Sequence, residues 1–135
     1  MKVKNLNDLQ VGLDQSIEVY FDGGMKYTGR VVEYYAGNKV AEFEVVDGVK
    51  SGQEIRYFPG KKVNSILNFN DGLLDGEVKH FYENGTLEED AVFEKGVCIK
   101  SKTYNQDGDE VDCYLIDETS ADFKWLEYLR KSKST

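Results

Sequence analysis

The sequence predicts an all-β fold: an antiparallel meander of β-hairpins in a single elongated, curved sheet, closed by a short C-terminal capping helix. Three observations predict it. Gly24, Gly48, Gly72 and Gly96 recur at intervals of 24 residues, and Gly29, Gly52 and Gly76 recur at 23 and 24. Aromatic pairs follow in step at Tyr34-Tyr35, Tyr57-Phe58 and Phe81-Tyr82, each succeeded by a turn-forming group. Thirteen glycines, nine tyrosines and seven phenylalanines stand against one proline, the composition of aromatic strands joined by tight turns. A chain of 135 residues fits one domain.

Residues 1–28 read as an N-terminal cap and opening strand. Leu6, Leu9, Val11 and Leu13 supply apolar positions for a turn or short strand over an edge, and the alternation of Ser16–Phe21 predicts the strand. Hairpin repeats occupy 29–108. In the first, Gly29–Tyr35 is one strand, Ala36–Asn38 the turn and Lys39–Val46 the return. Pro59-Gly60, Asn84-Gly85 and Asp107-Gly108 mark the later turns.

Alternation along the return strands separates two faces. Ala41, Phe43 and Val45, then Val63, Ser65, Leu67 and Phe69, then Leu87, Glu89, Ala91 and Phe93 form the set assigned to the core. Glu42, Glu44, Asn64, Ile66, Asn68, Glu88, Asp90, Val92 and Glu94 form the solvent set. The fourth copy is degraded: Lys100-Ser101 stands where the repeat has glycine. Residues 109–131 are read as the last strand and an amphipathic helix over 120–131, with Thr119 as its cap and Phe123, Leu126, Tyr128 and Leu129 as its apolar stripe. Residues 132–135 are expected to be frayed.

The net charge of −8 opposes nucleic-acid binding and a polybasic membrane role, both of which need clustered cations. The N-terminus lacks the apolar core of a signal peptide and no stretch approaches the ~18 apolar residues of a membrane span, so the expected location is cytoplasmic. Cys98 and Cys113 flank the Asn105–Gly108 turn; reducing conditions keep them as thiols, although their placement across a hairpin leaves pairing open. His80 is the single histidine, with no nucleophile motif, phosphate loop or metal-spaced set around it. The run Asp107–Asp112 lacks the ligand spacing of a calcium loop. No catalytic, cofactor or metal site is therefore expected. Glu42, Glu44, Glu88, Asp90 and Glu94 recur on one face and predict a negative surface that steers a basic protein partner, with Tyr34 and Tyr57 as candidate anchors.

The stretch Gly72-Leu-Leu-Asp-Gly76-Glu-Val-Lys-His-Phe81-Tyr82-Glu-Asn-Gly85-Thr-Leu87 resembles the MORN repeat, and most closely the bacterial variant repeats of YwqK-like antitoxin and immunity proteins. The resemblance spans roughly residues 21–108 and departs at Lys100-Ser101 and at the Gly37 and Gly60 turns. It implies a hairpin-repeat scaffold that neutralises a cognate toxin by binding it. The other role it implies is a structural or membrane-associated scaffold.

Overall fold

The computed structural model describes residues 1–132. Its core is an 11-stranded open sheet, with a separate 3-stranded sheet beside it. The N-terminal segment comprises β1 (Val3–Asn5), a single 3-10 turn (Leu6–Asp8), β2 (Gln10–Asp14), β3 (Ile17–Asp22) and β4 (Met25–Lys26). Three hairpins follow. The first is β5 (Gly29–Tyr35) with β6 (Asn38–Val46). The second is β7 (Val49–Lys50) and β8 (Gly52–Tyr57) with β9 (Val63–Asn70). The third is β10 (Leu73–Leu74) and β11 (Gly76–Phe81) with β12 (Leu87–Glu94). A fourth hairpin, β13 (Val97–Tyr104) and β14 (Glu110–Leu115), leads into α1 (Ala121–Ser132). The main sheet runs β1-β5-β6-β8-β9-β11-β12-β13-β14, antiparallel except where β1 lies parallel to β5. The all-β antiparallel meander with a terminal helix is thus the observed class.

Two sets of glycines explain why the chain repeats. Gly24, Gly48, Gly72 and Gly96 adopt φ between +82 and +89°, and the residue before each is also at positive φ: Gly23, Asp47, Asp71 and Lys95. Two consecutive left-handed residues make the hairpin turn whose twist matches that of the strands. Each turn also docks on the preceding unit. The Gly48 N–H donates to the Tyr27 carbonyl at 2.8 Å, Gly72 to Lys50 at 3.0 Å and Gly96 to Leu74 at 2.7 Å. The turns therefore stack as a spine along one edge of the sheet, each copy contacting its neighbours. The second set, at positions 29, 52 and 76, interrupts each outgoing strand at positive φ. Where Lys100 replaces that glycine β13 continues over eight residues, and the interruption is reduced to a bulge at Ile99.

The opening strand departs from expectation. Ser16–Phe21 does not begin the meander; β3 pairs with β2 and β4 in the small sheet, and β1 covers the edge of the large one. A turn at Gln15 and Ser16, both at positive φ, folds β3 back on β2. The small sheet then lies over a face, where Val19 and Tyr20 become buried and Tyr20 packs on Phe43 at 5.4 Å between ring centroids. Leu9, Tyr20, Tyr27, Val31, Phe43 and Val45 form the principal core. Burying a side chain the size of Phe43 stabilises by roughly 1.5–3 kcal/mol.

Ala41, Phe43 and Val45 point into this core as expected. In the later hairpins only Ser65 and Ala91 of the expected set are fully buried, while Val63, Leu67, Phe69, Leu87, Glu89 and Phe93 are half-buried. The small sheet covers one end of the array and its cover thins along the repeats. Beyond it, α1 contributes Leu126, which is fully buried. The helix reaches back past the last hairpin: Leu129 lines a small cleft with Leu73 and Lys95, and Arg130 holds Glu94 through two nitrogens at 2.6 and 2.7 Å. Ser120, not Thr119, caps the helix, its Oγ accepting from the Phe123 N–H at 3.1 Å. Thr119 is held instead by the Asp117 carboxylate, which it meets through both backbone and hydroxyl. Of the tail expected to fray, Ser132 closes the helix and 133–135 lie outside the described residues.

Candidate partner-binding face

The two faces of the large sheet differ sharply. On the covered face Val31, Ala41, Phe43, Val45, Glu54, Ser65, Val78 and Ala91 are buried. On the other, Val97, opposite Glu94 in register, is the one buried residue of the hairpin strands among the described residues. One continuous row across this open face reads Val32, Glu42, Ile55, Ile66, Lys79, Asp90, Lys102, Cys113, each opposite the next in cross-strand register.

At the turn end of the same face a β-bulge recurs at one position in all four hairpins: beside Tyr34, Tyr57, Phe81 and Tyr104. A bulge sets two residues of the return strand against one on the outgoing strand. The residue on the turn side of each bulge is aromatic, so the four rings form a row with one ring per hairpin. Two strand spacings, roughly 9.5 Å, separate successive rings. Clefts open beside them: about 250 Å³ where Tyr57 meets Lys39 and Lys61, about 350 Å³ where Phe81 meets Lys62 and Asn84, and about 490 Å³ where Tyr104 meets Asp90, Lys100 and Lys102. Tyr34 is 45% exposed at the end of the row.

The expected acidic residues do share this face, but the structure gives them partners. Glu42 meets Arg30 at 2.8 Å and also the ammonium of Lys39. Hydrogen bonding from Lys39, then from Arg30, outweighs partial burial and holds the Glu42 carboxyl below the usual carboxylate range. Glu44 lies 3.5 Å from Arg30, Asp90 stands between Lys79 and Lys102 in the ladder, and Glu94 is occupied by Arg130. The continuous negative surface expected from alternation is therefore a mosaic. Alternation assigns residues to faces; the cations opposite them are set by register, which alternation does not encode. Glu77, Glu88 and Glu110 add to the acidic contribution to the face, with Glu110 3.5 Å from Lys102.

The candidate anchors Tyr34 and Tyr57 lie in the aromatic row. Phe81 and Tyr104 belong to it equally. Their signal is the interval of 23, 24 and 23 residues, carried into the degraded fourth copy by Tyr104.

The covered face carries a polar ladder. Ser65 Oγ is 2.8 Å from His80 Nδ1, and His80 Nε2 lies 3.8 Å from Glu89. The order resembles an acid–base relay, but Ser65 is 2% exposed and cannot meet a substrate. Next to it, Glu54 is buried between Arg56 at 2.8 Å and Lys50, whose Nζ lies 2.6 Å from Oε1. That ammonium also sits over the rings of Phe43 and Phe69, at 4.5 and 4.9 Å, tying consecutive hairpins together. Cys98 and Cys113 are both free thiols. Burial, followed by the charge of Glu89, pushes the Cys98 thiol up, which lowers its thiolate fraction. No group of three or more metal-ligating side chains occurs among the described residues. Nor, among them, is any helix long and apolar enough to cross a membrane.

No family model matches the sequence, and no curated protein matches it. Among solved structures the chain is similar to TarM, at 16% identity and a TM-score of 0.40. A Staphylococcus aureus TarM mutant complexed with fondaparinux, alpha-GlcNAc-glycerol and UDP gives 16% and 0.42. In both cases the match covers 82% of this chain and 20% of the other. The complex of accessory secretory proteins 1, 2 and 3 of Streptococcus pneumoniae gives 15% identity and a TM-score of 0.23, over 83% and 18%. The chain thus spans about a fifth of the length of each.

Proposed function

We propose that this chain is a non-catalytic protein-binding module that neutralises a cognate toxin by laying its open sheet face on the toxin and occluding it. The observation that carries the reading is the row Tyr34, Tyr57, Phe81 and Tyr104, repeated at the turn end of the open face, away from the Glu94 end that Arg130 of α1 reaches. Aromatic side chains on a rigid sheet make strong anchors because they bring large contact area with few rotatable bonds. Their clefts are rimmed by lysines and carboxylates, which fix orientation around an apolar centre. A basic protein suits the net charge of −8. The carboxylates left to meet it are Glu77, Glu88 and Asp90, since Glu42, Glu44 and Glu94 are engaged internally.

The test is co-expression with the product of the adjacent gene. The reading expects a complex and protection of the host, both lost when Tyr57 and Phe81 are replaced together by serine. It also expects protection to survive combined replacement of His80, Cys98 and Cys113, because occlusion needs no chemistry from them. Binding to liposomes without any protein partner would favour the scaffold role instead.

A further inference from the structure

The bulges decide what lies between the rings of the aromatic row. In register Tyr34 faces Lys39, Tyr57 faces Val63 and Phe81 faces Leu87. Residues directly opposite each other across a strand pair share a face. Val63 and Leu87, which plain alternation assigns to the core, are therefore turned to the open face, because the extra residue of each bulge shifts the strand beyond it by one. Neither is buried, and Val63 lines the cleft beside Phe81. The neighbouring ladders keep the row level. Ser65 pairs with His80, which sets Phe81 one residue from the level of Val63. Glu89 pairs with Thr103, which sets Tyr104 one residue from the level of Leu87. Ring and floor thus alternate across the strands at about 4.8 Å, giving three valleys between four aromatic ridges.

The valley pitch, about 9.5 Å, selects what can lie along the row. In a polyproline II segment every third residue returns to the same side after about 9.3 Å. The mismatch is about 0.2 Å per valley and stays below about 1 Å over the whole row. Two turns of an α-helix take about 10.8 Å, so a helix drifts by about 4 Å over three valleys. A β-strand repeats its side every two residues, about 6.7 Å, and its third residue points away. Resting on the assignment of the open face as the binding face, we infer that the occupant is a proline-rich segment of the protein partner, laid across the strands as polyproline II with one turn in each valley.

The chemistry of the valleys suits this occupant. Polyproline II makes no internal hydrogen bonds, so its carbonyls need donors from outside. Tyrosine hydroxyls along the ridges and the ammonium groups of Lys61 and Lys62 beside the first two valleys supply them. Apolar side chains of the segment fill the troughs against the rings and against Val63 and Leu87. The segment is ordered before it binds, so little conformational entropy is lost on docking. Adjacent strands rotate by about −20 to −25°, a left-handed progression, and a left-handed segment follows it by winding slightly past its own three-fold. The two lysines also select a carboxylate on the segment where it crosses the first two valleys.

The probe is a synthetic peptide of about ten residues that repeats Pro-Pro-Leu behind one glutamate, about the length needed to cross three valleys. Its control repeats Pro-Pro-Leu-Gly, which changes the period from three residues to four. Each is titrated into the isotope-labelled chain and followed by amide chemical shifts. The expected result is saturable shifts at Tyr57, Val63, Phe81 and Leu87 with the first peptide, and affinity at least tenfold lower with the control. Val63→Phe fills the central valley and leaves all four rings, whereas Tyr57→Ser removes one ridge. Both should weaken the first peptide at least tenfold with unchanged far-UV circular dichroism. Equal binding of the two peptides, no binding at about 1 mM, or shifts confined to the face of Tyr35 would overturn the inference. A cognate complex that depends on Tyr57 and Phe81 while the Pro-Pro-Leu peptide fails to bind would overturn it and leave the open-face reading standing. Peptide binding in the valleys with a cognate complex indifferent to the row would sustain a polyproline site and refute the toxin reading instead.

Discussion

Replacing Gly72 by alanine probes whether the glycine turns are a spine that receives the N-terminal sheet. A Cβ at Gly72 would lie 2.4 Å from Ile17 Cγ2 and 3.3 Å from Val49 Cβ, and the residue holds φ at +82°. Two costs add. A non-glycine residue in the left-handed region costs about 1–2 kcal/mol, and inserting a methyl group into a filled contact costs about 1–3 kcal/mol. Gly72→Ala should therefore destabilise by about 2–5 kcal/mol. Gly37 is the internal control, because its φ is +80° but nothing lies within 4 Å of the added carbon. Gly37→Ala should cost only the conformational part, about 1–2 kcal/mol. Urea unfolding of both variants isolates the packing contribution as their difference. Ile17→Ala removes the clashing methyl, so the double variant should recover about 0.5–3 kcal/mol relative to additivity. Equal costs at positions 37 and 72, or strict additivity with Ile17→Ala, would refute docking of β3 on the spine.

Two more consequences concern charge. Hydrogen bonds from Arg130 hold the Glu94 carboxyl below its ordinary value. A carboxylate with a lowered folded pKa contributes stability that is present above the unfolded value of about 4.3 and is lost as pH falls through the folded one. The helix should accordingly loosen first on acidification, seen as a change in Trp125 fluorescence that Arg130→Ala shifts to higher pH. Glu54→Gln should destabilise by about 3–5 kcal/mol in urea unfolding, because it strips the charge that Lys50 and Arg56 share in a buried setting.

Much of this fold is legible in the residues because tight turns are chemically demanding. A left-handed turn position every 24 residues requires glycine, so the spacing of Gly24, Gly48, Gly72 and Gly96 announces the spine before any contact is known. The aromatic row is legible for a related reason: each bulge repeats with its hairpin, and the ring beside it repeats too. Pairing partners are another matter. Ser16–Phe21 alternates just as a meander strand does, and only the Gln15-Ser16 turn and the burial of Tyr20 send it to a separate sheet. The acidic face misleads likewise. Glu42 and Arg30 are 12 residues apart in the chain and 2.8 Å apart in space, a proximity created by register. Thr119 and Ser120 are equally able caps, and the Asp117 side chain selects between them by occupying Thr119.

The most direct test of the binding account compares neighbours on opposite faces. Tyr34 and Tyr35 are adjacent and exposed, but Tyr34 belongs to the aromatic row of the open face and Tyr35 points the other way. The measurement is dissociation of the complex with the adjacent gene's product, by surface-binding kinetics, for Tyr34→Ser, Tyr57→Ser, Phe81→Ser and Tyr35→Ser. The account expects the three open-face variants to dissociate faster, by an order of magnitude or more where the ring is a central anchor worth about 2 kcal/mol. Tyr35→Ser should dissociate as the wild type does. Loss of binding through Tyr35 with the open-face variants unaffected would place the partner on the opposite face and contradict the account.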